Sequence, residues 1–206
     1  MVEITSAIYA TMYSISTSLL YPVILILIVL VVYSLVEVGA FLVESAKRYR
    51  NFEILRSKFG NFNQSELEIS NLEKFKTTRL LRLFISDLKK LNPNKKDLEK
   101  LLEEYELRIA KELEIPRVLS RIGPMLGLMG TLIPLGPAMI ALSQGNIQEL
   151  AINLITAFAT TVLGLIVGGI GYTIFVVRKR WYLEDLSDME YIVRSLVYEE
   201  KEKIDR

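Results

Sequence analysis

The sequence predicts an all-α membrane protein with three transmembrane helices, an outer N-terminus, a cytoplasmic C-terminus and a helical cytoplasmic domain between the first two spans. The first observation is the charge distribution: of the 25 Lys and Arg residues, 18 lie in residues 47–121 and 7 in residues 178–206. The second is that the remaining stretches contain three apolar segments, each long enough to cross a hydrocarbon core about 30 Å thick as a helix. The third is a mean hydropathy of +0.32, which is high for a soluble chain with 24% charged residues.

The composition excludes several classes of function. The chain contains no Cys and no His, which excludes disulfides, thiolate or imidazole metal sites, cysteine nucleophiles and Ser-His-Asp triads. The closest glycine-rich run, residues 123–131, has no Lys and therefore does not form a phosphate-binding loop. A net charge of +1 gives no reason to expect nucleic-acid binding. We therefore expect no enzyme, no metal site and no cofactor.

The N-terminal part consists of an outer segment and the first span. Residues 1–18 are mildly apolar with several hydroxyl groups, which is compatible with a helix at the outer membrane interface. Residues 19–46 are rich in Leu, Ile and Val and predict transmembrane helix 1. A cleavable signal peptide is the alternative, but it requires basic residues before a shorter apolar run, and the first 18 residues have none.

Residues 47–121 predict a cytoplasmic domain of amphipathic helices. Asn92 and Pro93 have the pattern of a helix N-cap followed by Pro at the first helical position. Apolar residues recur at three- and four-residue spacing on both sides of this point, so we expect two helices that pack against each other. A break at residues 60–63 should end the helix that continues from the first span. The two apolar stripes are Leu81, Phe84, Ile85, Leu88 and Leu91, and Leu98, Leu101, Leu102, Tyr105, Ile109 and Leu113.

The second and third spans should form an antiparallel hairpin. Residues 122–142 and 150–177 are apolar, and the outer loop between them, residues 143–149, is too short for any other arrangement. Residues 178–206 should form a cytoplasmic C-terminal helix. Basic residues follow the first span, precede the second and follow the third, whereas the N-terminal segment and the loop have none, which predicts the stated orientation.

Small residues in these two spans predict close helix packing. Gly123 and Gly127 form one G-x-x-x-G spacing, and Gly164 and Gly168 form another, so helix backbones can approach closely there. Packing within one subunit accounts for some of this pattern. We also expect Gly164 and Gly168 to lie at contacts between subunits.

Hydroxyl and amide side chains in the spans predict a polar face. Asn153, Thr156 and Thr160 recur at helical spacing, and such a face should line a subunit interface or a wet path rather than contact lipid. Thr131 and Thr161 lie near mid-membrane depth, where antiparallel packing would bring them together. For each Thr the alternative is a hydrogen bond to its own helix backbone.

Neither of these two spans contains an acidic or basic residue. A proton path through a membrane usually requires ionisable groups, so a titrating group would have to come from elsewhere. Glu37 and Glu44 lie on one face at the cytoplasmic end of the first span. The simpler interpretation is that both are interfacial carboxylates that reach headgroup water.

These two spans resemble a known family. Residues 123–131 read GPMLGLMGT and are similar to the "APLLGLLGTV" stretch of the MotA/TolQ/ExbB ion-channel family, and residues 157–165 read AFATTVLGL and are similar to its "ALLATAIGL". The resemblance covers about residues 15–195 and is closest to the TolQ/ExbB branch. It implies a multi-pass protein of a prokaryotic cell membrane that forms a homopentamer around a dimer of a single-span partner.

That partner, an ExbD/TolR/MotB-like protein, would bring a pore Asp, and flow of H⁺ or Na⁺ would drive rotation and mechanical work. The resemblance makes Thr131 and Thr161 the pore threonines. Thr156 stands where TolQ and ExbB proteins have Glu, so the transported ion stays open, because neutral oxygens also bind Na⁺. A non-conducting oligomeric scaffold is the alternative function. The expected ion pathway comprises Thr131, Thr161, Thr160, Thr156 and Asn153.

Overall fold

The computed structural model describes the backbone of residues 2–59, 78–90 and 95–204, and every element in these ranges is an α-helix. The predicted all-α class is therefore confirmed for the described chain. The expected cap at Asn92 and Pro93 and the expected break at residues 60–63 lie outside the described residues. The helices are α1 (Val2–Ser18), α2 (Leu20–Phe59), α3 (Arg79–Lys90), α4 (Lys95–Glu112), α5 (Glu114–Ser143) and α6 (Ile147–Ile204).

Three helical stretches are long and apolar enough to cross a membrane, as predicted. They lie within Ala10–Arg48, Asp97–Ser143 and Ile147–Leu196. The helices are longer than the apolar segments inside them: α6 has 58 residues, whereas a bilayer requires about 20. The polarity changes after residues 46 and 177 therefore fall inside continuous helices, because a change from apolar to charged side chains does not interrupt backbone hydrogen bonding.

The chain divides into two compact units. The first comprises Met1–Gly39 and Ile115–Phe175, and the second comprises Ala40–Glu114 and Val176–Arg206. The first unit contains the apolar segments, and the second contains most of the charged residues.

In the first unit, a tight turn joins α5 to α6. Gly145 has a φ of +70°, a left-handed conformation that glycine adopts without a steric penalty. The next residue, Asn146, caps α6: its Oδ1 accepts a hydrogen bond from the backbone N–H of Glu149 at 3.1 Å. Its own backbone N–H donates to the carbonyl of Ala141 at 2.8 Å. These bonds set where α5 ends and α6 begins, and so fix the register of the hairpin.

In the second unit, α3 and α4 pack through the two predicted apolar stripes. Phe84 and Tyr105 meet edge to face, with ring centroids 5.2 Å apart and planes at 88°. The Tyr105 hydroxyl donates a 2.9 Å hydrogen bond to Asp87, which lowers the pKa of that carboxyl. Other buried stripe residues are Leu81, Ile85, Leu88, Leu98, Leu101, Ile109 and Leu113.

The second unit also contains a buried ion pair between α2 and α6. Arg48 binds both carboxylate oxygens of Asp185, at 2.9 and 3.1 Å, and donates to the carbonyl oxygen of Trp181 at 2.9 Å. The Arg48 guanidinium lies over the Trp181 ring at 5.3 Å, and Phe41 stacks on that ring at 5.5 Å. Only 4% of the Asp185 side chain is exposed, so this carboxylate depends on Arg48 for charge compensation.

A second pair lies nearby on the same two helices. Arg178 Nε donates to Glu44 at 2.9 Å, and the Tyr182 hydroxyl donates to the other oxygen of that carboxylate at 3.4 Å. Glu44 therefore has an ion-pair partner besides any contact with headgroup water, and 32% of its side chain is exposed. Its partner is more than a hundred residues away in the sequence, and charge patterning alone does not reveal such a pairing.

Candidate ion pathway

Backbone-to-backbone contact between α5 and α6 positions the candidate site. A Cβ added to Gly164 would lie 2.6 Å from the Gly123 carbonyl oxygen and 2.7 Å from the Gly127 Cα. A Cβ on Gly168 would lie 2.5 Å from Pro124 Cγ. Contacts recur every three or four residues along α5, with partners three or four residues earlier along α6, so the two helices touch over several turns.

The four glycines predicted for helix packing therefore lie in a contact between helices of the same chain. This differs from the expectation that Gly164 and Gly168 face a neighbouring subunit. The hairpin turn packs α5 of the same chain directly against both glycines. Two further glycines belong to the same contact. A Cβ on Gly130 would lie 2.6 Å from Thr160 Cβ, and one on Gly171 would lie 2.6 Å from the Ser120 backbone nitrogen. A search restricted to G-x-x-x-G spacing misses both.

Thr131 of α5 and Thr161 of α6 meet at the end of this contact that lies nearest the 143–149 loop. Their hydroxyl groups are in direct hydrogen-bond contact, and both side chains are half-buried. The antiparallel hairpin thus brings together the two residues that sequence reasoning placed at equal depth. The Thr131 hydroxyl also lies 3.0 Å from the Gly127 carbonyl, and the Thr161 hydroxyl 3.0 Å from the Ala157 carbonyl.

This geometry determines what the Thr131–Thr161 pair can do chemically. A hydroxyl has one proton and two lone pairs. When one hydroxyl donates its proton to the other, and the other donates its proton to a carbonyl of its own helix, each of the two oxygens keeps at least one free lone pair. The pair then offers two neutral acceptor oxygens to a cation or to a protonated carboxyl group.

The structure places Thr160 differently. Its side chain is 4% exposed and packs against Gly130, with the hydroxyl 2.9 Å from the Ala157 carbonyl and 3.0 Å from the Thr156 carbonyl. Thr160 therefore fills the space between α5 and α6 as a packing residue. Its assignment to the ion pathway stays a prediction.

Asn153 lies two turns and Thr156 one turn before Thr160 on α6, and both are half-buried. The Asn153 amide donates to the Glu149 carbonyl, and the Thr156 hydroxyl to the Ile152 carbonyl, each at 3.0 Å. Back-bonding to the helix therefore satisfies these donors locally. Their assignment to an ion pathway stays a prediction.

The site contains no fixed charge. Residues 122–142 and 150–177 include no Lys, Arg, Asp or Glu, and the described residues contain no group of three or more carboxylates that would hold a metal ion. The oxygens that this chain itself places at the Thr131–Thr161 pair are therefore neutral hydroxyl and carbonyl oxygens.

The sequence model described as the MotA/TolQ/ExbB proton channel family matches residues 67–190, which is more than half of the chain. The chain belongs to this family. The matched region includes α5, the candidate threonines and most of α6, and the match does not distinguish the TolQ/ExbB branch from the others. Searches of curated proteins and of solved structures returned no match.

Proposed function

We propose that this protein is an ion-conducting stator subunit of a membrane rotary motor. The observation that carries the proposal is the hydroxyl pair of Thr131 and Thr161, which lies between two charge-free spans of a proton channel family member. Two neutral oxygens bind a passing ion weakly enough to release it, and a path of this kind needs no resident cofactor. On this account the protein is not an enzyme.

The absence of charge in the two spans supports the need for a partner. A proton carrier in a membrane is usually an ionisable side chain, and the described spans of the hairpin offer hydroxyls instead. We expect a dimer of a single-span protein to bring a carboxylate opposite the Thr pair. Five copies of this chain around that dimer would form a closed ring, consistent with the closed symmetry that homo-oligomers commonly adopt.

The proposed orientation follows from charge. Basic residues follow the first span, precede the second and follow the third, which supports an N-terminus outside and residues 47–121 and 178–206 in the cytoplasm of a prokaryotic cell. Cysteine residues placed in the 143–149 loop should react with an impermeant thiol reagent in intact cells, whereas cysteines in 178–206 should not.

Co-purification with a neighbouring single-span protein is the experiment that tests the assembly. Native mass spectrometry of the complex should count five copies of this chain and two of the partner. A stable monomer or dimer in both mild detergent and nanodiscs would contradict the ring. An assembled ring that passes neither H⁺ nor Na⁺ in liposomes would instead favour the non-conducting scaffold.

The identity of the ion rests on Thr156. Its hydroxyl cannot titrate near neutral pH, so this position gives no proton-binding group, and oxygen ligands of this kind also bind Na⁺. Flux measured separately in a Na⁺ gradient and in a proton gradient distinguishes the two ions.

A further inference from the structure

The hydrogen bond within the Thr131–Thr161 pair has a direction, because only one hydroxyl proton can lie between the two oxygens. In one arrangement Thr161 donates to Thr131, which donates to the Gly127 carbonyl. In the other arrangement Thr131 donates to Thr161, which donates to the Ala157 carbonyl. The hydroxyl that donates within the pair keeps two free lone pairs, and the one that accepts keeps one. The direction therefore decides which threonine is the better acceptor.

Three hydroxyl groups surround the Ala157 carbonyl, on which the second arrangement depends. Thr160 Oγ1 lies 2.9 Å from this oxygen, Thr161 Oγ1 lies 3.0 Å away and Thr131 Oγ1 lies 3.4 Å away. A carbonyl oxygen has two lone pairs, and α-helical hydrogen bonding uses one of them for the backbone N–H of Thr161. One lone pair is left for the three hydroxyl groups.

Thr160 has the fewest alternatives among these hydroxyl groups. Only 4% of this residue is exposed, and a Cβ on Gly130 would lie 2.6 Å from its Oγ1, so α5 closes over the hydroxyl. Within the described part of the chain this hydroxyl contacts two acceptors, the Ala157 carbonyl at 2.9 Å and the Thr156 carbonyl at 3.0 Å. A buried hydroxyl between two carbonyls keeps both contacts, and such bonds are strengthened by the low local dielectric. The other two hydroxyl groups each have a further acceptor.

We propose that Thr160 is a positioning residue that sets the direction of the hydrogen bond within the Thr131–Thr161 pair. Its proton fills the remaining lone pair of the Ala157 carbonyl, so the Thr161 proton goes to Thr131. The Thr131 proton then goes to the Gly127 carbonyl, and Thr161 is the hydroxyl with two free lone pairs. These contacts lie within one hairpin, so they do not depend on which surfaces neighbouring copies cover.

This direction deepens the proposed function, and its consequence for an ion rests on that function. Thr161 becomes the stronger acceptor of the pair for a cation or for the protonated carboxyl group of a partner. Thr160 itself touches neither, because it is buried behind the pair. Its influence passes through the Ala157 carbonyl alone.

The Gly127 carbonyl reports the direction, because it accepts a hydroxyl proton in the first arrangement and none in the second. Isotope labelling of the Gly carbonyl carbon and of the Leu amide nitrogen selects Gly-Leu pairs in solid-state NMR of the full chain in liposomes. The sequence has two such pairs, Gly127–Leu128 and Gly164–Leu165. The Gly164 resonance is the internal reference for an intact hairpin. Thr131→Val gives the position of the Gly127 resonance without a hydroxyl proton.

Thr160→Val keeps the branched shape beside Gly130 and removes the hydroxyl. The Gly127 carbonyl resonance should move most of the way to its position in Thr131→Val, while the Gly164 resonance stays in place. Thr160→Ala, which removes the hydroxyl with a smaller side chain, should displace the Gly127 resonance in the same direction. Thr160→Ser keeps the hydroxyl and should leave this resonance at the wild-type position.

The matched control is Thr173→Val, at a threonine of the same helix that bonds to the Gly169 carbonyl, and both resonances should stay in place. A residue that acts by packing alone would give the opposite order, with a displacement in Thr160→Ser and none in Thr160→Val. That order, or an undisplaced Gly127 resonance in Thr160→Val and Thr160→Ala, would overturn the proposal.

Ion flux in liposomes that also contain the partner separates this proposal from the proposed function. Thr160→Val should reduce flux less than Thr161→Val, because both hydroxyl groups of the pair remain. Displacement of the Gly127 resonance in a protein that passes neither H⁺ nor Na⁺ would contradict the proposed function and support the assignment of Thr160. Wild-type conduction with an undisplaced resonance in Thr160→Val would overturn the assignment of Thr160 and leave the proposed function standing.

Discussion

Replacing Gly164 by Ala should destabilise the α5–α6 hairpin. The added Cβ would lie 2.6, 2.7 and 2.9 Å from three backbone atoms, the Gly123 carbonyl oxygen and the Gly127 Cα and nitrogen. Carbon atoms reach their best dispersion contact at about 3.5–4.0 Å, so the two helices would have to separate by roughly 1 Å. Because the obstructing atoms belong to the backbone, no side-chain rotation relieves the overlap. We expect a loss of about 1–3 kcal/mol in the free energy of unfolding.

Gly169→Ala is the matched control for this substitution. Gly169 lies on the same helix, five residues further, and a Cβ there has no neighbour within 4 Å. Since Ala favours a helix by about 1 kcal/mol over Gly, this variant should be neutral or slightly stabilised. The assay is denaturant unfolding of both variants in the same mild detergent, followed by circular dichroism. Equal stability of the two variants would refute the close contact between α5 and α6.

Three further substitutions test the second unit. Arg48→Ala should lower the free energy of unfolding by about 3–5 kcal/mol, because it leaves the buried Asp185 carboxylate without its partner. The control Arg180→Ala removes an exposed ion pair and should lower it by at most about 1 kcal/mol. Equal losses of stability in the two variants would contradict the buried pair. Asp185→Asn in the Arg48→Ala background should recover part of the stability, and an additive loss would show that the two side chains do not interact. Phe84→Ala should lower the free energy of unfolding by about 3–5 kcal/mol, and Leu83→Ala, at an exposed position, should lower it much less. Thermal unfolding measures both variants. The reverse order of stability would contradict the packing of α3 on α4.

Much of the helical architecture is predictable from the sequence because it depends on local patterns. Apolar stretches of sufficient length and the three- and four-residue spacing of Leu81, Phe84 and Leu88 need no knowledge of distant residues. The meeting of Thr131 and Thr161 is also predictable, since a short loop between two spans forces an antiparallel register. Helix continuity past residue 177 was less evident, because a change in polarity resembles an element boundary.

The sequence does not predict which distant residues pair with each other. Arg48 and Asp185 are 137 residues apart, and nothing local distinguishes Arg48 from its basic neighbours as the side chain that becomes buried. Glycine spacing likewise predicts close helix approach without saying which helix approaches. The structure assigns Gly164 and Gly168 to a contact inside one chain, because the hairpin brings α5 against them over several turns.

Ion flux through liposomes that contain this protein with its single-span partner tests the central claim most directly. Thr→Val keeps the side-chain shape and removes the hydroxyl, and polar bonds in membranes average only about 0.6 kcal/mol, so folding should change little. Thr131→Val and Thr161→Val should each greatly reduce flux relative to wild type. Thr173→Val, at an exposed threonine that bonds only to its own helix at Gly169, should leave flux unchanged. Equal flux in all four proteins would contradict an ion pathway at the Thr131–Thr161 pair.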